Sequence, residues 1–218
     1  ENMKIKTLLT LVAIIISSNA VSKESKTDDV LELNNETVLL KLNDGSKVQV
    51  KTCDEYVTLR KAGKKIVGYP DRDPQELGEA TRNLDECFMK AYATAKGWKD
   101  VSATTQPASI KDIVEHFPAE LAMKTSRTLG TKAKTISDTA TDWSMTDNGA
   151  YISKTNRVGY FPFTTHNYVD KKGSVHLFLT LANFNNPEDV WDFTSYQVVS
   201  QNSPVWVVNK IDVNSPLK

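Results

Sequence analysis

One stretch, Asp73 to Gly97, limits the folds open to this chain more than any other. Asp73 is a good N-cap, Pro74 suits the first helical position and Glu76 completes a capping box. Apolar or small side chains then recur at Leu77, Ala80, Leu84, Cys87, Phe88, Ala91, Tyr92 and Ala95, the spacing of one helical face. Gly97 offers the left-handed stop, with Lys96 in the last turn. About 23 residues at 1.5 Å each make a rod of roughly 34 Å. Such a rod must bury its apolar face. Cys87 sits on that face, and the other cysteine, Cys53, falls at the end of a predicted strand. The expected arrangement is a sheet packed on the helix, with a Cys53–Cys87 disulfide as the clip.

The pairing expectation rests on compartment. Residues 3–22 read as a secretory signal peptide. Lys4 and Lys6 form its charged start, and Leu8 to Ile16 is a short apolar run broken only by Thr10. Ser18-Asn19-Ala20 and Ala20-Val21-Ser22 both fit the small-x-small cleavage rule. An apolar core of about nine residues is short of the roughly 20 that span a bilayer. The reading is therefore a cleaved leader, a periplasmic or secreted destination and no membrane span after cleavage. Two cysteines in an exported chain usually pair, and their wide spacing is not the C-x-x-C of redox catalysts. Residues 23–36 are polar and read as a mobile leader. Residues 37–213 read as a single α+β domain.

Charge narrows the partners. The 218 residues carry 27 basic and 27 acidic side chains, so the chain has no global electrostatic footprint for nucleic acid or anionic membrane.

Around the long helix the chain reads as an N-terminal β-hairpin and shorter helices, followed by a C-terminal antiparallel β-meander. Val38, Leu40 and Leu42 alternate ahead of Asn43-Asp44-Gly45, and Ser46, Val48 and Val50 follow. A three-residue loop with Gly45 left-handed pairs Leu42 with Ser46, Leu40 with Val48 and Val38 with Val50. A two-residue loop would set leucines against Gln49 and Lys47, so the first register is expected. Asp54 is a candidate cap for a short helix to Ala62, with Gly63 as its stop. Ile66 and Val67 suggest a short strand. Residues 99–108 read as a polar loop. Ser109 caps a helix with Ile110, Ile113, Val114 and Phe117 on its face. Pro118 to Leu129 reads as a further helix of poor periodicity. Residues 131–149 lack clear periodicity and read as either a functional loop or a subdomain seam. Beyond residue 150, Tyr160–Val169, Val175–Leu181, Val190–Ser200 and Val205–Val213 read as three or four meander strands.

The chemistry of the sequence is sparse. G-x-S-x-G, H-E-x-x-H and G-x-G-x-x-G are absent, and no cofactor is implied. Gly63 and Gly68 have P-loop spacing, but Tyr69-Pro70 stands where phosphate and magnesium ligands would be. Of three histidines, His116 suits a helix C-terminus. His166 and His176 lie on adjacent strands, where a three-residue loop makes them diagonal neighbours on one face and a four-residue loop separates them. With Tyr168 or Asp170 they are weak candidates for a metal or acid–base site, since zinc wants three or four ligands. Asp71, Asp73, Glu76 and Glu79 form an acidic cluster without calcium-loop spacing. Arg60, Lys61, Lys64 and Lys65 form a basic knot.

Aromatic residues are unevenly placed. Eleven of eighteen follow residue 150, more than one sheet face should bury. Strict alternation puts Phe161 and Phe163 on one face and Tyr160 and Tyr168 on the other. Tyr160, Tyr168, Trp191 and Tyr196 are therefore the candidate binding residues, at least two of them expected to be exposed. These features imply an exported, non-enzymatic binding or interaction protein, such as an inhibitor or accessory subunit of an envelope system. It would meet a protein partner or small ligand there. The alternative is a hydrolase or metal-dependent enzyme using His166 and His176.

Overall fold

The computed structural model describes residues 37–70, 73–122, 132–185 and 192–217. The leader segments and Trp191 lie outside them. The fold is mixed α+β, with a small N-terminal sheet, three helices and a C-terminal antiparallel meander.

The hairpin of β1 (Val38–Leu42) and β2 (Lys47–Val50) takes the expected register, with Val38 opposite Val50 and Leu40 opposite Val48. Leu42 N–H donates to the Ser46 carbonyl, and Gly45 holds φ +84°, where a side chain would be strained. β3 (Ile66–Gly68) adds to the other edge of β1. Cys53 does not end a strand; it is the first residue of α1 (Cys53–Lys61). The cap is Thr52, two residues before Asp54. Its hydroxyl accepts from Glu55 N–H while Glu55 reaches back to the Thr52 backbone, a full capping box that Asp54 could not form.

The long helix is α2 (Pro74–Ala95), followed by Gly97 at φ +69°. Its buried stripe is wider than one face. Ala80, Leu84, Cys87 and Phe88 pack on β1, β3 and α1. Met89 and Ala93, absent from the expected stripe, join Tyr168 and Phe178 of the main sheet. Leu77, expected to be buried, is 37% exposed. The helix lies between two layers, so it buries two flanks and releases the end of its predicted face. Cys53 and Cys87 are bonded, 5.3 Å apart at Cα, and tie α1 to α2.

Three strands of the main sheet come early. They are β4 (Lys99–Asp100), inside the expected polar loop, β5 (Trp143–Met145) and β6 (Tyr151–Ser153). The meander follows as β7 (Val158–Val169), β8 (Val175–Phe184), β9 (Asp192–Ser200) and β10 (Val207–Lys210). The order is β10-β9-β8-β7-β6-β5, with β4 also paired to β7. The 132–149 stretch therefore supplies an edge strand, and its Ile136 is fully buried in the core. α3 (Ile110–His116) is capped by Ser109 as expected and covers the sheet face opposite α2, with Phe117 against Tyr196. The helix expected from Pro118 is a single 3-10 turn, Ala119–Leu121, after which Ala122 is extended. Its remainder, from residue 123, lies outside the described residues. No helix among the described residues is long and apolar enough to cross a membrane.

Candidate functional site

Three of the four sequence-derived binding residues do not form a surface, and the fourth, Trp191, lies outside the described residues. Tyr160, Tyr168 and Tyr196 are 3%, 6% and 5% exposed. The aromatic excess is core because the sheet is covered on both faces, not one. Tyr160 and Tyr168 also do not share a face. The pairing of β7 with β8 shifts between Pro162 and Thr164, a bulge that reverses the alternation. Tyr160 consequently packs on the α3 side and Tyr168 on the α2 side.

The histidines are brought to one face, but each is engaged separately. Asp170 N–H donates to the Ser174 carbonyl, which closes the three-residue loop. Tyr168 then sits opposite His176 and His166 opposite Phe178, so the imidazoles are diagonal neighbours. His166 Nε2 lies 2.6 Å from Glu86 Oε2 on α2, and Thr164 Oγ1 donates to Glu86 Oε1 at 2.6 Å. The bond from Glu86 outweighs burial and raises the His166 pKa. Burial alone would raise that of Glu86, but the His166 and Thr164 bonds hold it below the usual value. His176 Nε2 lies 3.0 Å from Asp170 Oδ2, and its ring stacks on Trp98 at 3.7 Å and 2°. Among the described residues no group of three or more His, Cys, Asp or Glu could hold a metal ion.

The basic knot is split. Lys64 meets Asp44 at 2.5 Å. Arg60 turns inward and donates to the carbonyls of Lys64, Val213, Asn214 and Ser215, with Tyr56 Oη donating to the Val213 carbonyl as well. Asn214 clasps both backbone groups of Ile66 at 2.8 Å. The segment after β10 is thereby fastened across α2 to the N-terminal layer. Of the acidic cluster, Asp73 directly precedes α2, Glu79 lies within its second turn, and Asp71 lies outside the described residues.

That fastened segment walls a cleft of about 470 Å³. Thr81 and Asp85 line it from α2, Ser195 from β9, Tyr69 from the residue after β3, and Lys210 and Asp212 from the C-terminal end. The volume falls within the roughly 300–1,000 Å³ of small-ligand sites. Ser195 is 2% exposed, its hydroxyl 2.7 Å from Thr180 Oγ1, and its carbonyl accepts from Ile211 N–H. Asp85 is the chemically distinctive group. Burial pushes its pKa up to about 7, and the charges of Glu86 and Asp212 push the same way. The Ser195 hydroxyl and the Lys210 charge oppose them without prevailing. Burial, reinforced by Asp85, also raises the Tyr69 phenol. The cleft can accept and donate hydrogen bonds, present an aromatic wall and change charge near neutrality.

Neither Asp85 nor Glu86 stands out in the sequence. Both flank the buried Leu84 and Cys87 on what reads as the polar side of an amphipathic helix, and their partners are about 80 to 130 residues away. An adjacent acidic pair beside a buried stripe is the only local trace. The fold and cleft define an α+β protein with a disulfide-clipped central helix and a ligand-sized polar recess beside it. Comparison of the chain with protein-family models, with curated proteins and with solved structures finds no match.

Proposed function

We propose that this is an exported binding or interaction protein, periplasmic or secreted, that serves an envelope system as an inhibitor or accessory subunit. The observation that carries the binding role is the cleft around Asp85. It combines ligand-scale volume with a half-buried carboxyl, hydroxyls and an aromatic wall. Export is supported by the Cys53–Cys87 bond, a cross-link that persists in oxidising compartments, and by the apolar run of residues 8–16. The enzymatic alternative on His166 and His176 has less support, because the two imidazoles are engaged by separate carboxylates and no group of three or more metal-ligating side chains forms around them among the described residues.

Two measurements test the reading. Cell fractionation of the full chain should place a shortened form outside the cytoplasm, and cytoplasmic retention of the uncleaved chain would overturn export. For binding, a small polar fragment set is screened by 1H–15N NMR. Binders should perturb the amides of Thr81, Asp85 and Ser195 together. A set whose binders all map elsewhere would overturn the cleft as the site.

A further inference from the structure

The ligand's charge class follows from how the cleft is built, and the inference rests on the cleft being the binding site. We propose that the recess takes an organic cation, an ammonium or guanidinium group seated against Asp85. The cleft is a polar recess of about 470 Å³ whose carboxyls, Asp85, Asp192 and Asp212, face a single ammonium, Lys210. The ion pairs formed among the described residues do not include Asp85. The groups that favour its charge, the Ser195 hydroxyl and the Lys210 ammonium, do not outweigh burial and the charges of Glu86 and Asp212, so a carboxylate there is under-compensated. A cation entering the cleft supplies the missing positive charge. The carboxyls do not converge as a metal-ligand group, and the volume exceeds what a bare ion fills. The geometry therefore suits an elongated amine, with its head at Asp85 and its tail towards Asp192 or Asp212. Tyr69 and Phe193 offer rings along that path.

Such binding is linked to protons. Groups acting on Asp85 come from every wall: Glu86 on the same helix, Lys210 and Asp212 from the C-terminal end, Tyr69 after β3 and Tyr56 on α1. Asp192 stands at the start of β9. Their balance leaves Asp85 titrating at about 7. An alkylammonium stays charged far above that, with a pKa near 10, so loss of binding on acidification reports the protein group. Binding in proportion to ionised Asp85 weakens roughly 30-fold from pH 8 to pH 5.5.

The experiment titrates the folded domain with 1,5-diaminopentane, with 1,5-pentanediol and glutarate as neutral and anionic probes of similar length. A blocked lysine-containing peptide is the fourth probe. Expected results are saturable binding of the diamine with shifts at Thr81, Asp85 and Ser195, and the roughly 30-fold pH dependence. Asp85→Asn should weaken binding at least tenfold, and Lys210→Gln should tighten it. The lysine variant keeps the test open if the aspartate variant folds poorly. Tighter binding of the peptide than of the diamine assigns the cation to a protein's lysine side chain, and the reverse assigns it to a free amine. Equal binding of the diol or glutarate, or affinity unchanged in both variants, would overturn the charge assignment while leaving the cleft as a site. No perturbation of the cleft by any of the four would overturn the assignment and remove the cleft reading with it.

Discussion

Glu86→Gln tests how α2 is held to the main sheet. Glu86 joins the helix to β7 through His166 and Thr164, each at 2.6 Å, and its side chain and that of His166 are 29% and 30% exposed. A hydrogen bond to a charged group contributes about 1.5–3 kcal/mol, and solvent screening at this exposure lowers the expectation to about 1–2 kcal/mol. For a domain of this size that is a fall in Tm of about 2–8 °C. The pH dependence carries the sharper test. Glu86 has a lowered folded pKa, so its contribution is present above its ordinary value of 4.5 and fades as pH falls. His166 has a raised one, so its contribution is present below 6.5 and is lost as pH rises through the folded value. Asp100 reinforces the His166 charge and Lys90 opposes it. The wild type should therefore exceed the variant most between about pH 5 and 6.5, with the gap closing on both sides. Urea unfolding at half-unit pH steps measures it. A gap that stays constant from pH 5 to 8.5 would refute the ion-pair reasoning. So would a variant as stable as wild type at pH 6. The substitution should also lower the Asp85 pKa, since Glu86 raises it, and carboxyl-carbon NMR would read that directly.

Further outcomes follow from other contacts. Cys53→Ser with Cys87→Ser should cost about 3–4 kcal/mol on the chain-entropy argument, read by chemical denaturation; equal stability with and without reductant in the wild type would count against it. Gly159→Ala should destabilise by about 1–3 kcal/mol, because the new Cβ would lie 2.1 Å from Phe184 Cζ inside the core, and an unchanged Tm would show the ring has room to move. Asp85→Asn should stabilise the domain by about 2–4 kcal/mol at pH 8 and have little effect at pH 4. A raised carboxyl pKa penalises the ionised fold only above the ordinary value, so stabilisation at both pH values would refute that account.

The local elements were legible because their signals are local. Alternation around Asn43-Asp44-Gly45 admits one register that pairs apolar partners, and the structure has it. Gly97 and the 3.6-residue period locate α2 to within a residue or two. Ser109 caps α3 through its own side chain. Pairing of the two cysteines followed from their even number, the expectation of export and their placement at two element ends that could meet. Where sequence reasoning failed, a nearby competitor had won. Thr52 caps α1 in place of Asp54 because Glu55 stands three residues after it, completing the reciprocal box.

What the sequence determined by itself is therefore the N-terminal hairpin, the three α-helices, the long strands of the meander and the disulfide; the short strands β4, β5 and β6 form only where partner strands pair with them. Tertiary structure alone decided how many layers cover those elements. A second layer across the sheet turned the surplus tyrosines into core, and one extra residue near Phe163 moved Tyr168 to the opposite side from Tyr160. It also decided Asp85. Alternation and helical period report which way a side chain points from its own backbone. The ionisation of a carboxyl depends on its burial and on the hydrogen bonds and charges around it, and for Asp85 these include Ser195, Lys210 and Asp212, over a hundred residues away.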